Sequence, residues 1–217
     1  MSRFDCSDQE QRAAGVKEAV SALRRGELVV LPTDTVYGIG ADAFTPTAVT
    51  DLLEAKGRGR DMPVPVLVGS VRAANALVEE MSPYGNDLIE AFWPGALTLV
   101  CRHGPSLAWD LGEAKGTVAL RMPLQQLALD VLGEAGPTAV SSANRSGLPP
   151  ATTADQAESQ LGDSIEVYLD DGPSAESVPS SIIDLTGPVP RLLREGAIST
   201  EKLREVVSFL LTDEDED

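Results

Sequence analysis

The stretch Leu28-Val29-Val30-Leu31-Pro32-Thr33-Asp34-Thr35-Val36-Tyr37-Gly38 sets the fold class. An unbroken apolar run stopped by Pro32 predicts a short strand buried on both faces, followed by a polar loop. Upstream, residues 11–25 place Val16, Ala19, Val20 and Leu23 at helical spacing, and Gly26 offers a C-terminal cap. Downstream, Thr45-Pro46 supplies an N-cap and a first-turn proline for a helix ending near Ala55-Lys56-Gly57. Helix, buried strand and helix in succession are the start of an α/β chain.

The alternation continues to the C-terminus. Residues 64–68 (VPVLV) read as a strand that Pro65 makes an edge or irregular one. Ser70 and Ser82 are N-caps for two short helices. Residues 98–102, 117–122 and 138–142 read as strands, with a helix across Leu124–Leu132 between the last two. Thr153 with Gln156 resembles a capping box for a helix through Leu161. Residues 165–169, 181–185 and 191–194 read as strands, and Ser199 caps a final helix through Leu211. No internal repeat or Pro/Gly/Ser-rich linker interrupts the series. The expectation is one α/β domain over residues 9–211, a twisted, mixed or mostly parallel sheet flanked by helices. Residues 212–217 form an acidic tail expected to be disordered. Neither G-x-G-x-x-G nor a P-loop is present, so no Rossmann fold is read.

Composition narrows the chemistry. A chain of 217 residues buries a core without disulfide or metal staples. Asp and Glu number 34 against 17 Lys and Arg, a net charge of −17 that becomes −12 when the five residues Asp213–Asp217 are left out. Such a chain is repelled by polyanions, so any phosphate site has to be built locally. Two cysteines, Cys6 and Cys101, and one histidine, His103, exclude most zinc and iron–sulfur architectures. A Ser-His-Asp or Cys-His mechanism would need His103 as its base, whereas its Gly-Pro-flanked loop favours a surface or structural role. Cys101, inside a strand, reads as core. With no apolar run near the ~20 residues of a membrane span and no signal-peptide core, a cytoplasmic protein with no membrane partner is expected.

Three polar, glycine- or serine-rich segments are each expected to follow an apolar strand, where the loops past strand C-termini usually hold ligands. The first is Pro32–Gly38, in which Asp34 and Tyr37 serve to hold the loop. The second is Lys56-Gly57-Arg58-Gly59-Arg60, the third Ser141–Gly147. Basic residues at a helix C-terminus complement its dipole, and Gly57 suits a left-handed cap. Three cations in five residues, opened by two glycines, equally suit an anion approached by backbone and guanidinium groups. Ser141–Gly147 is either an ordinary turn or a nest for a carboxylate or phosphate. Arg121 closes an apolar run, where burial demands a partner: a protein carboxylate or that of a ligand. Arg194 ends another such run, so the two guanidinium groups are expected at one rim.

With these segments quoted, the sequence resembles the YrdC/TsaC family of threonylcarbamoyl-AMP synthases, in its single-domain form. The resemblance spans about residues 12–200. Its blocks are Pro32–Gly38 with Gly40–Ala43, Lys56–Pro63, Phe92–Gly95, Thr117–Pro123, Ser142–Gly147, and Ser180–Asp184 followed by Arg194. It implies a YrdC-like fold with a concave pocket and a reaction in which ATP, L-threonine and bicarbonate give threonylcarbamoyl-AMP and pyrophosphate. By that resemblance Lys56 and Arg58 are the catalytic basic pair at the phosphates. Met62, Thr117, Ser142, Asn144, Thr152 and Arg194 would contact ATP, and Thr35, Arg121, Ser142 and Ser180 would contact threonine. Mg2+ would accompany ATP, and a downstream tRNA threonylcarbamoyl transferase complex would consume the product. Leu67 stands where many relatives carry histidine, and Glu195 where proline is common. Rival readings are a module binding double-stranded RNA or tRNA, carbamoyl transfer as in hydrogenase maturation, and a noncatalytic regulator that keeps the pocket.

Overall fold

A computed structural model describes residues 1–105, 107–174 and 178–212. The helices are α1 (Gln9–Arg24), α2 (Pro46–Lys56), α3 (Val71–Asn75), α4 (Pro83–Phe92), α5 (Gln126–Ala135), α6 (Ala154–Leu161) and α7 (Thr200–Val206). The strands are β1 (Ser2–Asp5), β2 (Val29–Leu31), β3 (Gly38–Asp42), β4 (Val66–Leu67), β5 (Leu97–Arg102), β6 (Thr117–Arg121), β7 (Thr138–Ser142), β8 (Val167–Asp170), β9 (Ser181–Asp184) and β10 (Arg191–Arg194). They form one sheet in the order β1-β8-β2-β3-β7-β4-β6-β5-β9-β10. Four neighbouring pairs are parallel and five antiparallel, so of the two expected arrangements the sheet is the mixed one.

The run that opened the sequence reading is β2, with all three residues buried between β8 and β3. Its core sides are filled by two apolar clusters. One groups Val30, Tyr37, Ile39 and Leu52 with Leu97, Leu99 and Leu120. The other packs α1 and α5 against Val29 and Leu31. Ser70, Ser82 and Ser199 cap α3, α4 and α7 as expected, each accepting from a backbone N–H of the first turn.

Several boundaries differ from the sequence reading. β4 shrinks to two residues and lies inside the sheet, not at its edge, because the Pro65 carbonyl still accepts from the Val140 N–H at 2.8 Å. Strand β3 was not expected, since the glycines of Gly38-Ile39-Gly40-Ala41-Asp42 depress strand propensity. β1 joins the sheet ahead of residue 9; its four residues carry no apolar run, and Arg3 holds it through Asp155, Glu158 and Asp170. The last helix ends at Val206 instead of Leu211. Leu211 turns back to the edge strand, where it receives the Leu192 N–H at 2.8 Å. The Thr153–Gln156 pair forms half a capping box: Thr153 Oγ1 takes the Gln156 N–H, while Gln156 Oε1 accepts from Thr152. Of the expected tail, Asp213–Asp217 lies outside the described residues.

Candidate active site

Sheet register sorts the predicted site residues into two groups. Ser142 is opposite Gly38 at one end of β7, whereas Thr138 at its other end is level with Leu67 and, through it, Arg121. Four residues of strand separate these levels, about 13 Å. Because β6 runs against β7, Thr117 falls toward the Ser142 end and Arg121 toward the opposite one. Leu31, Gly38 and Ser142 are level, so the loops after β2 and β7 leave from one rim, whereas Arg121 closes its strand at the opposite one. The loop after β2 connects the groups by reaching across to Arg121.

Arg121 is 6% exposed and anchors three segments at once. Its Nε donates to the Gly95 carbonyl at 2.9 Å, Nη1 to Thr35 Oγ1 at 3.0 Å, and Nη2 to Asp34 Oδ1 at 2.7 Å. The Asp34 oxygen also accepts the Leu124 N–H at 2.9 Å. Of the alternatives left open for Arg121, the protein carboxylate is thus present. Thr35 is itself set by Thr33, whose hydroxyl donates to the Val36 carbonyl at 2.6 Å and lies 3.0 Å from Thr35 Oγ1. Only glycine fits at position 95, where a Cβ would lie 2.4 Å from the Phe92 carbonyl oxygen. Arg194 shares this end: its Nε and Nη2 donate to the Ser180 carbonyl at 3.0 and 2.7 Å, and Ser180 Oγ is 2.8 Å from Thr98 Oγ1. Burial and the repulsion of Arg194 both work against the charged Arg121, and Asp34 works for it. Beside this cluster is a cavity of about 560 Å³, lined among others by Thr33, Asp34, Gly95, Gln125, Asp171 and Ile198.

The second group gathers where α2 meets the loop after β7. Gly57 caps α2 in the left-handed conformation, φ 61°, and turns the chain so that Lys56 and Arg58 both reach β7. Lys56, 3% exposed, donates through Nζ to the carbonyls of Ser142 at 2.5 Å and Asn144 at 2.7 Å. Burial, with the neighbouring Arg58 charge, lowers its ammonium to about 8. Arg58 donates to Ser141 Oγ at 3.1 Å, and its Nε is buried without a partner among the described residues. Asn144 spends its amide N–H groups on the Arg145 and Leu148 carbonyls, leaving Oδ1 buried and, among the described residues, unpartnered. The capping reading holds for Gly57, whereas Arg58 turns away from the helix end toward β7. The third cation, Arg60, pairs with Asp110.

Other predicted residues stand apart from these contacts. Met62 is exposed on the loop after Arg58, and Thr117 Oγ1 donates to the Ala114 carbonyl at 2.7 Å. Thr152 bonds to Gln156 at the start of α6. Tyr37 holds its loop by donating to the Gly172 carbonyl at 2.6 Å. His103 Nδ1 lies 2.9 Å from its neighbour's carbonyl, and its ring meets Trp109 edge-on. Cys6 and Cys101 are buried, with thiols pushed up to about 11 and about 12, which leaves them inert. Leu67 packs with Leu132 and Val140, so the strand beside Arg121 offers an apolar neighbour in place of an imidazole. The Glu195 carboxylate accepts from the Thr200 N–H at 2.9 Å and from its hydroxyl, at the start of α7 and not toward Arg194. Sequence reasoning placed Gly95 and Ser141 in their segments without a contact for either, and missed the pairing of Asp34 with Arg121, since each contact joins segments far apart in the chain.

Comparison with known proteins agrees with this geometry. The family model Sua5_yciO_yrdC, described as telomere recombination, matches residues 21–196. A Mycobacterium tuberculosis protein named for threonylcarbamoyl-AMP synthase is 60% identical over 204 residues, covering 94% of each chain. The Bacillus subtilis threonylcarbamoyl-AMP synthase is 36% identical over 200 residues, 91% of this chain and 58% of that one. Among solved structures, P. abyssi Sua5 complexed with L-threonine superposes with a TM-score of 0.87 at 35% identity, covering 91% of this chain and 58% of that one.

Proposed function

Since the chain belongs to the Sua5/YciO/YrdC family, we propose that it is a threonylcarbamoyl-AMP synthase, acting as a nucleotidyltransferase on ATP, L-threonine and bicarbonate. One observation carries the reading. In a chain of net charge −17, Lys56, Arg58 and Arg194 have no carboxylate within ion-pair distance among the described residues. Lys56 is buried besides. Cations kept from protein counter-ions suit a site whose anion is the substrate.

In the mechanism, Arg121 and Thr35 hold the carboxylate end of threonine beside the 560 Å³ cavity. The neutral threonine amine adds to the carbon of CO2, opening one C=O bond and releasing a proton to solvent, or to bicarbonate with loss of water, to give a carbamate. A carbamate oxygen then attacks the α-phosphorus of ATP, and the bond to pyrophosphate breaks. Carbamates hydrolyse readily, so a walled cavity protects this one. Lys56 and Arg58 stabilise charge gathering on the phosphoryl and leaving groups, and Arg194 and Ser180 link the nucleotide and threonine halves. No protein nucleophile is required. Among the described residues no group of His, Cys, Asp and Glu is arranged to hold a metal. Mg2+ would therefore enter with ATP, held by phosphate oxygens and water, and would supply charge neutralisation there. The adenylate serves a tRNA threonylcarbamoyl transferase complex in the cytoplasm; no helix among the described residues is long and apolar enough to cross a membrane.

Pyrophosphate release from Mg-ATP, with threonine and bicarbonate omitted in turn, tests the reading. Release that needs both supports it; ATP binding without release would make the chain a regulator. Salt-sensitive RNA binding without turnover would favour the RNA-binding alternative. Within the reading, Arg58→Ala is expected to lower adenylate formation by ~10²-fold with an unchanged melting curve, because one charge contact to the transition state is lost. Near-normal turnover in that variant would remove Arg58 from the phosphate site.

A further inference from the structure

The Arg121–Asp34 pair is more than a structural ion pair, because only one of the two carboxylate oxygens is used by the described residues. Oδ1 accepts from both Arg121 Nη2 and the Leu124 N–H. Oδ2 accepts nothing from the described residues and is absent from the buried, unpartnered atoms, while Asp34 itself forms part of the cavity wall. The other carboxylate on that wall is engaged: Asp171 Oδ2 accepts from Gln125 at 2.7 Å, and Oδ1 faces Arg12 at 3.9 Å. Arg121 uses three of its five N–H groups on Gly95, Thr35 and Asp34. The cavity wall thus carries a carboxylate with one oxygen to spare, and joined to it at 2.7 Å is the Arg121 guanidinium, whose other partners Thr35 and Gly95 border the same loop and wall.

We infer that Asp34 Oδ2 binds the ammonium group of the amino-acid substrate, making Asp34 the residue that selects α-amino acids over acids lacking the amine. The inference rests on the threonine site proposed above and deepens it. An α-amino acid is a zwitterion whose carboxylate and ammonium sit side by side. Laid against Arg121 and Asp34 in reverse order, each of its charges meets the opposite one. A free acid without the ammonium would meet Arg121 equally well but would leave Oδ2 with no cation to face. Asp34 also fixes where the amine sits, next to the cavity in which the carbamate forms.

Asp34→Asn separates recognition from positioning, because an asparagine oxygen still accepts from Arg121 and Leu124 while the negative charge is lost. Calorimetric titration of wild type and variant with L-threonine and with 2,3-dihydroxybutanoate, which carries hydroxyl in place of ammonium, reads the difference. The expected result is about 10- to 100-fold weaker threonine binding in the variant with little change for the hydroxy acid. Equal threonine affinity in the two proteins would overturn the inference. So would an equal loss for both ligands, which would make Asp34 a support for Arg121 alone, or tighter threonine binding, which would make it an internal competitor. Failure of the wild type to bind threonine would overturn the proposed function itself, and this inference with it.

Discussion

Arg121→Ala is expected to lower kcat/KM for threonine by about 10³-fold, mostly through KM, and to destabilise the folded chain by about 3–5 kcal/mol. The two effects share a cause. Arg121 is almost wholly buried and holds the loops carrying Asp34, Thr35 and Gly95 to one another. Its removal deletes the proposed carboxylate receptor and strands Asp34, whose side chain is 15% exposed, without a counter-charge. Arg121→Lys divides the effects. An ammonium restores the ion pair and much of the stability, but it lacks the fork that reaches three acceptors together. Threonine KM should therefore stay high in a protein whose urea midpoint is close to wild type. Kinetics at varied threonine with saturating ATP, beside urea denaturation, give both readouts. A folded Arg121 variant with unchanged threonine KM would take the residue out of the carboxylate role.

Local physics explains which parts of this site could be read from sequence. Gly57 at the end of α2 and the cations beside it announce themselves by spacing, because helix capping is decided within one turn. Arg121 was legible as a buried charge needing a partner, but the partner is 87 residues away along the chain, and nothing in the intervening segment encodes it. Strand β3 was hidden for the opposite reason. Its Gly-Ile-Gly-Ala-Asp sequence has weak intrinsic strand preference, and pairing on both sides by β2 and β7 decides its conformation. β4, parallel to β6 and antiparallel to β7, reverses those two strands and so sets Arg121 at the end opposite Ser142. Direction of strands is a property of the whole sheet, which short apolar runs do not carry.

The orientation of Lys56 leads to an effect as large as that of Arg121 and readable by pH. Lys56→Met should lower kcat/KM for ATP by about 10³-fold, since it removes a charge from the phosphate site and two hydrogen bonds that hold the Ser142–Asn144 loop. In the wild type, burial lowers the ammonium from 10.5 to about 8. The unfolded chain keeps that proton to higher pH, so between about 8 and 10.5 the unfolded state binds more protons and Lys56 makes stability rise with pH. Activity should move the other way. The free enzyme loses its phosphate-receptive charge above about 8, and kcat/KM for ATP at saturating threonine should fall there. The neutral amine keeps two N–H groups for its two carbonyl partners, so the loop stays anchored while the charge is lost. Bound polyphosphate favours the ammonium, which carries the decline in kcat to higher pH than that in kcat/KM. Arg58→Ala, by removing a neighbouring like charge, should also shift the limb upward. Lys56→Arg, permanently charged, should abolish it. A flat profile from pH 7 to 10 in the wild type, or a limb that survives in Lys56→Arg, would show that this ammonium is not the group whose charge ATP requires.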